Sequence, residues 1–206
     1  MKGQAEMSIT HRVRVQEEKL LSDNWSILKT TTFDFQRADG RWQRHQRETY
    51  DRGNGAAILL YNLQRRSVVL TRQFRYPAFV NGHHELLVEV PAGLLDAASP
   101  EECIRAEAEQ EAGYAVRQPH KVFEAFMSPG SVTEKLHFFV AEYEPSDRIS
   151  AGGGLEHEGE DIEVFEAGFD EALAMCGDGR VRDGKTILLL QYAALHLFAK
   201  PPTQPD

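Results

Sequence analysis

The stretch PAGLLDAASPEECIRAEAEQEAGY, residues 91–114, restricts the fold more than any other, because it sets a glycine turn before a short acidic helix and a second glycine after it. Ser99-Pro100-Glu101-Glu102 reads as a helix start: Ser99 caps, Pro100 suits the first helical position, and Glu102 closes a capping box. Gly113 reads as the stop. Glu107 and Glu111 lie one turn apart on one face, and Cys103, in the same column, brings no positive charge. Such like charges repel by about 0.2–0.5 kcal/mol, which invites a cation between them. A solvated acidic helix is the plain alternative, since Arg105 is spaced to pair with both Glu101 and Glu109. The apolar run at 86–90 reads as a strand feeding the glycine turn, a rigid base for a site.

Around this stretch, 206 residues suit one catalytic domain, 51–200, preceded by a β subdomain, 1–50, and followed by a disordered Pro-rich tail, 201–206. Strand formers dominate 13–50, broken by Ser22-Asp23-Asn24 and Ala38-Asp39-Gly40, as in a small antiparallel sheet. AAILLYN and SVVLTRQF read as core strands joined across 63–66. Further strands are expected at 121–127, 135–143 and 162–165, a short helix at 169–176, and an amphipathic helix at 184–200 capped by Asp183. Segment 149–161, with Gly152-Gly153-Gly154 and then acidic residues, lacks an apolar period and reads as a mobile loop.

Acidic residues outnumber basic ones 32 to 23, a net charge of −9, which argues against nucleic acid or an anionic membrane as partner. A small anionic substrate held by a few local cations remains compatible with that balance. Cys103 and Cys176 are too few for a disulfide framework or a cysteine zinc site, so a cytoplasmic, reducing compartment is expected. MKGQAEMSITHR lacks the apolar core of a signal peptide, and Gln191 and His196 break the apolar run near the C-terminus.

GLLDAASPEECIRAEAEQEAGY resembles a Nudix box, the glycine-loop-helix signature of enzymes that hydrolyse a nucleoside diphosphate linked to another group. TYDRGNGA (49–56), RQFR (72–75), MSPGSVTEKLHFF (127–139), AGGGLEHEGEDIEV (151–164) and RDGKTILLL (182–190) are similar to the branch holding GDP-mannose and ADP-ribose pyrophosphatases. The resemblance implies an α/β Nudix fold, a mixed sheet sandwiched between helices, with an N-terminal antiparallel β subdomain. It also implies metal-dependent hydrolysis of a nucleotide sugar, GDP-mannose giving GMP and mannose 1-phosphate, with ADP-ribose as the alternative substrate. The box departs from the family pattern: an Arg and the first Glu of a pair, which brace each other, are replaced by Ala106 and Gln110. The glycine lies one residue nearer the helix, and Ser99 stands near a position where a further Glu is usual. These departures lend weight to a third reading, a catalytically silent nucleotide sensor, against which stand the retained Glu107, Glu111, Glu134 and Glu160.

Carboxylates rather than His or Cys are the available donors, so the hard-cation rule points to Mg2+, with Mn2+ as the alternative. The resemblance adds Glu160 and the backbone carbonyl of Ala92 to Glu107 and Glu111 as metal ligands; Glu134, which it places beside the substrate, and Glu160 are the candidate bases for the attacking water, and Glu158 is near enough in sequence to substitute. It implies that Arg75 and Lys185 contact the diphosphate sugar, that Ala92, Gly93, Leu94 and Glu134 line the substrate, and that Trp25 and Gln46-Arg47-Glu48 recognise the nucleotide. In the family these N-terminal residues reach a neighbour's site, which implies a homodimer. On residue type alone, Glu160 is a solvated charge, Arg75 and Lys185 are surface cations, and Trp25 is a core anchor.

Overall fold

The computed structural model describes residues 8–95 and 97–199; the tail 201–206 lies outside the described residues. The chain forms two units. One runs through Gly53 and takes in Ser128–Glu134; the other comprises Asn54–Met127 and the chain from Lys135 onward.

The first unit is an antiparallel meander of β1 (Val13–Asp23), β2 (Ile27–Gln36) and β3 (Trp42–Asp51), turning where the Asn- and Gly-containing breakers stand. Ser128–Glu134 joins it through Tyr50 N–H to the Ser131 carbonyl at 2.8 Å and Thr133 N–H to the Tyr50 carbonyl at 3.1 Å. Among the described residues no hydrophobic side chain of these three strands is buried.

The second unit is built on the apolar hairpin of β4 (Gly55–Asn62) and β5 (Ser67–Gln73). To it are added β6 (Leu87–Glu89), β7 (Ala92–Leu94), β8 (His120–Phe126), β9 (Lys135–Glu142) and β10 (Glu163–Gly168), in the order β10-β5-β4-β9-β8, with β6 on β5 and β7 on β4. β4 and β9 run parallel and the other pairs are antiparallel, so the sheet is mixed. The helices are α1 (Tyr76–Val80), α2 (Pro100–Glu107), α3 (Phe169–Asp178) and α4 (Gly184–His196).

Because side chains alternate along a strand, the central strands feed two cores. Ala57, Leu59, Leu70 and Phe138 pack with Phe169, Ala172, Leu189 and Leu190 of α3 and α4, while Ala56, Ile58, Leu60 and Phe139 pack with Cys103 and Ile104 of α2. The mixed sheet is therefore covered by helices on both faces, as the sequence predicts. α4 starts at its expected cap, Asp183 accepting the Thr186 N–H at 2.9 Å, but it ends at His196 rather than at 200. Leaving the helical course buries Phe198, whose ring stacks on Phe169 with centroids 4.1 Å apart.

Candidate active site

α2 begins as its sequence requires: Ser99 Oγ accepts the Glu102 N–H at 3.3 Å, and Glu102 Oε2 accepts the Ser99 N–H at 3.0 Å. Ser99→Ala should cost about 1 kcal/mol of stability, read as a melting temperature lower by about 2–4 °C with turnover unchanged. Arg105 does not pair with Glu101 and Glu109 as its spacing predicts. Its guanidinium donates to the Val116 carbonyl at 2.6 Å and to that of Arg117, because the chain after Gly113 folds back beside the helix and offers unpaired backbone acceptors.

Past Glu107 the helix widens into a π turn, Ala108–Ala112, closed by Gly113 at φ 79°. Such turns are rare and recur where a side chain is re-aimed for function. Here Glu111 points inward: it is 1% exposed, and its Oε2 accepts the Ala92 N–H at 3.0 Å. Glu107 lies against the next residue of β7, since a Cβ on Gly93 would stand 1.8 Å from Glu107 Oε1. Both carboxylates therefore converge on Ala92-Gly93, which forms the start of β7 rather than the glycine turn expected from the sequence. Ala106 and Gln110, where the bracing pair is missing, are both exposed.

Glu160 is held by the Leu155 N–H, which donates to its Oε2 at 2.8 Å, and its charge reaches Glu111. Burial pushes the Glu111 carboxyl up to about 8; the charges of Glu107 and Glu160 add to this, while the Ala92 N–H and the charge of Arg75 oppose it. The unfolded chain releases this proton near 4.5, so between that pH and about 8 the native protein binds more protons and its stability falls as pH rises. In metal-free buffer, denaturation midpoints measured from pH 5 to 8 should decline, and Glu111→Gln should flatten the decline.

The glycine run expected to be mobile is instead bonded to the end of the π turn. Gly153 N–H donates to the Glu111 carbonyl at 2.9 Å and Gly154 N–H to the Gln110 carbonyl at 3.0 Å, satisfying acceptors that a helix end leaves free. Only glycine fits at 152, where φ is 70° and a Cβ would lie 2.4 Å from the Glu111 carbonyl oxygen. Glu158 ends the short 3-10 turn that follows, Glu156–Glu158, and is exposed.

Arg75 and Lys185 are not ordinary surface cations. Both bind Glu89: Arg75 Nε donates to Oε2 at 2.8 Å, and Lys185 Nζ donates to Oε1 and also to Asp183 Oδ1 at 2.9 Å. Burial by itself would lower the Lys185 ammonium, but Glu89 and Asp183 together hold it above its ordinary value. Glu89, 2% exposed, escapes a motif-based reading; its signal is a lone charge inside the apolar run LLVEV.

The remaining candidates are placed as follows. Leu94 is partly exposed on β7, and its carbonyl accepts the Cys103 thiol at 3.2 Å. Glu134 belongs to the first unit, where Arg52 Nε lies 3.3 Å from its carboxylate. Trp25, in the turn between β1 and β2, is 92% exposed and so is no core anchor; a turn tip with no buried hydrophobic neighbour on its strands cannot enclose it. Gln46, Arg47 and Glu48 are exposed on β3, with Gln46 Nε2 3.3 Å from Thr30 Oγ1 and Arg47 Nη1 donating to the Gln46 carbonyl at 2.8 Å.

Among the described residues no three acidic, His or Cys side chains form a ready metal cage. Magnesium does not need one, since it takes one or two carboxylates and completes its octahedron with water and substrate oxygens. The donor set fits such a cation: the charges of Glu107 and Glu160 both act on the buried Glu111, and a cation would offset them.

The site is thus a glycine-bearing strand, in a mixed sheet between helices, that receives two helical carboxylates. The chain belongs to the Nudix family, whose NUDIX domain model matches residues 51–190. Residues 12–50 match the model described as the GDP-mannose pyrophosphatase NudK N-terminal domain. A GDP-mannose pyrophosphatase of Pectobacterium atrosepticum is 57% identical over 190 residues, 91% of this chain and 97% of the relative. Those of Escherichia coli O1:K1 / APEC and Klebsiella pneumoniae are 54% identical over 192 residues (92% and 100%) and 53% over 181 (87% and 90%). The protein is thus a hydrolase, and pyrophosphatases of its family generally use a divalent metal. No helix among the described residues is long and apolar enough to cross a membrane.

Proposed function

We infer that the protein hydrolyses the pyrophosphate bond of GDP-mannose, giving GMP and mannose 1-phosphate, with Mg2+ as its ion. The observation that carries this reading is the buried Glu111, converging with Glu107 on Ala92-Gly93 under the charge of Glu160, in a chain more than half identical to named GDP-mannose pyrophosphatases.

Glu107, Glu111 and Glu160, with the Ala92 carbonyl, would hold the cation, which supplies stabilisation of charge developing on the phosphoryl oxygens. Gly93 keeps this edge of the strand open, and Leu94 extends the substrate wall. Arg75 and Lys185 bind the diphosphate, a task suited to fixed cations. Glu134 and Glu158 remain to take the proton from the attacking water, because Glu160 acts with the ligand group. Glu134→Gln and Glu158→Gln separate them: the base is the one whose loss lowers turnover and removes the acidic limb of the pH profile.

The guanine base is recognised by Trp25, Gln46, Arg47 and Glu48 of a second copy in a homodimer. The support is physical: a three-stranded sheet bearing exposed Val15, Leu20, Trp25 and Trp42, with no buried hydrophobic of its own among the described residues, needs a surface to pack on. Mixing inactive Glu111→Gln protein with Arg47→Ala protein should restore about a quarter to a half of wild-type activity through hybrid dimers. A monomer in sedimentation would end this reading. Two free thiols support a reducing, cytoplasmic compartment for the enzyme.

The deciding experiment incubates the protein and magnesium with GDP-mannose, other nucleotide sugars, ADP-ribose and nucleoside triphosphates, and separates the products. GDP-mannose should be turned over fastest; faster ADP-ribose would reassign the substrate, and no turnover at all would favour a nucleotide sensor.

A further inference from the structure

Three elements meet on the carboxylate of Glu89. Arg75 enters α1, Lys185 stands in the first turn of α4, and Glu89 ends β6. Asp183 grips the same Lys185 ammonium, and Thr186 Oγ1 donates to Asp183 at 2.6 Å while accepting the Val90 N–H at 2.9 Å, tying the group to the backbone beside Glu89. A charge so buried is costly unless paired, and apolar side chains of like volume would serve folding as well or better. What they could not do is fix the direction of two cations. Glu89 engages the guanidinium through Nε, and among the described residues no other side-chain hydrogen bond of Arg75 is formed, which leaves the two-nitrogen Nη edge open on a side chain 40% exposed. The charge of Arg75 reaches Glu111.

We propose that Glu89 is a positioning residue, which aims the Nη edge of Arg75 and the ammonium of Lys185 at the diphosphate of the substrate. This rests on the diphosphate-substrate reading above. Its sign is diagnostic. Glu89 is itself an anion near an anionic substrate, so charge alone would make its removal tighten binding, whereas loss of aim must loosen it.

The test is Glu89→Gln, with melting curves to confirm folding, assayed for GDP-mannose turnover and, by calorimetry, for binding of GDP in magnesium. KM and the GDP dissociation constant should each rise about tenfold with kcat within about threefold, the pattern of lost uniform binding. Arg75→Ala should give a similar rise, and the double variant less than the product of the two, because Glu89 acts in part through Arg75. Unchanged or tighter binding in Glu89→Gln, or additive effects in the pair, overturns the proposal. If Glu89→Gln does not fold, Arg75→Lys carries the test: it keeps the charge but loses the fork, so wild-type KM and GDP affinity would overturn the proposal and an about tenfold loss would support it. If the wild type binds GDP but does not turn over GDP-mannose, the substrate reading fails while the GDP affinities still decide on Glu89; a wild type that binds no GDP overturns the proposal.

Discussion

Replacing Glu111 by Gln is expected to lower turnover of GDP-mannose by at least about a hundredfold, a loss of roughly 2.7 kcal/mol of transition-state stabilisation. The substitution keeps the shape and an acceptor for the Ala92 N–H, so the fold should survive; a neutral amide is easier to bury than this carboxyl once ionised. What it removes is the charge that a cation needs at the centre of the cluster. Gln110→Ala is the control. Gln110 is exposed, and the contact it makes to the glycine run is through its backbone carbonyl, which the substitution retains. Its cost should stay below about tenfold, since at most a neutral hydrogen bond of about 1 kcal/mol is at stake. Gln110→Glu should bring no gain, because position 106 is Ala and offers it no partner. Turnover at saturating magnesium for the three variants checks the register: equal damage from Gln110→Ala and Glu111→Gln would require the ligands to be reassigned.

Gly93→Ala should be nearly as damaging, about a hundredfold in turnover, while leaving the melting temperature within about 4 °C. The new methyl would lie 1.8 Å from Glu107 Oε1 and 2.2 Å from its Cδ, well inside contact distance. Backbone need not move, because the obstructing atoms are the far end of a flexible side chain. Glu107 swings away instead, and the cluster loses one of its converging carboxylates. A variant with normal melting and normal turnover would show that Glu107 does not act from the place it occupies against β7. One that melts far lower would show that the strand, rather than the side chain, yields.

These two expectations draw on different kinds of information. That Glu107 and Glu111 share a helix face, and that the helix starts at Ser99 and stops at Gly113, are local matters of spacing and capping, legible in the residues themselves. The apolar hairpin, the α/β class and the cap of α4 at Asp183 are legible for the same reason: alternation, turn residues and capping signals act over a few positions. The prediction that Arg105 pairs within its helix fails because backbone acceptors at Val116 and Arg117, brought back by the turn at Gly113, compete for it.

What the sequence determined by itself was therefore most of the elements, though neither α1 nor β7, and the carboxylates they carry. Tertiary structure alone decided that the helix widens at Glu111, that Gly93 must lack a side chain for Glu107 to lie where it does, and that Gly152–Gly154 bond to the helix end. It also decided that Trp25 is exposed rather than buried, and that Arg75 and Lys185, 110 positions apart, share the carboxylate of Glu89. The reason is the range of the forces: a cap or an alternation is settled between near neighbours, whereas desolvation and the pairing of buried charge depend on everything that surrounds a group after the chain has folded.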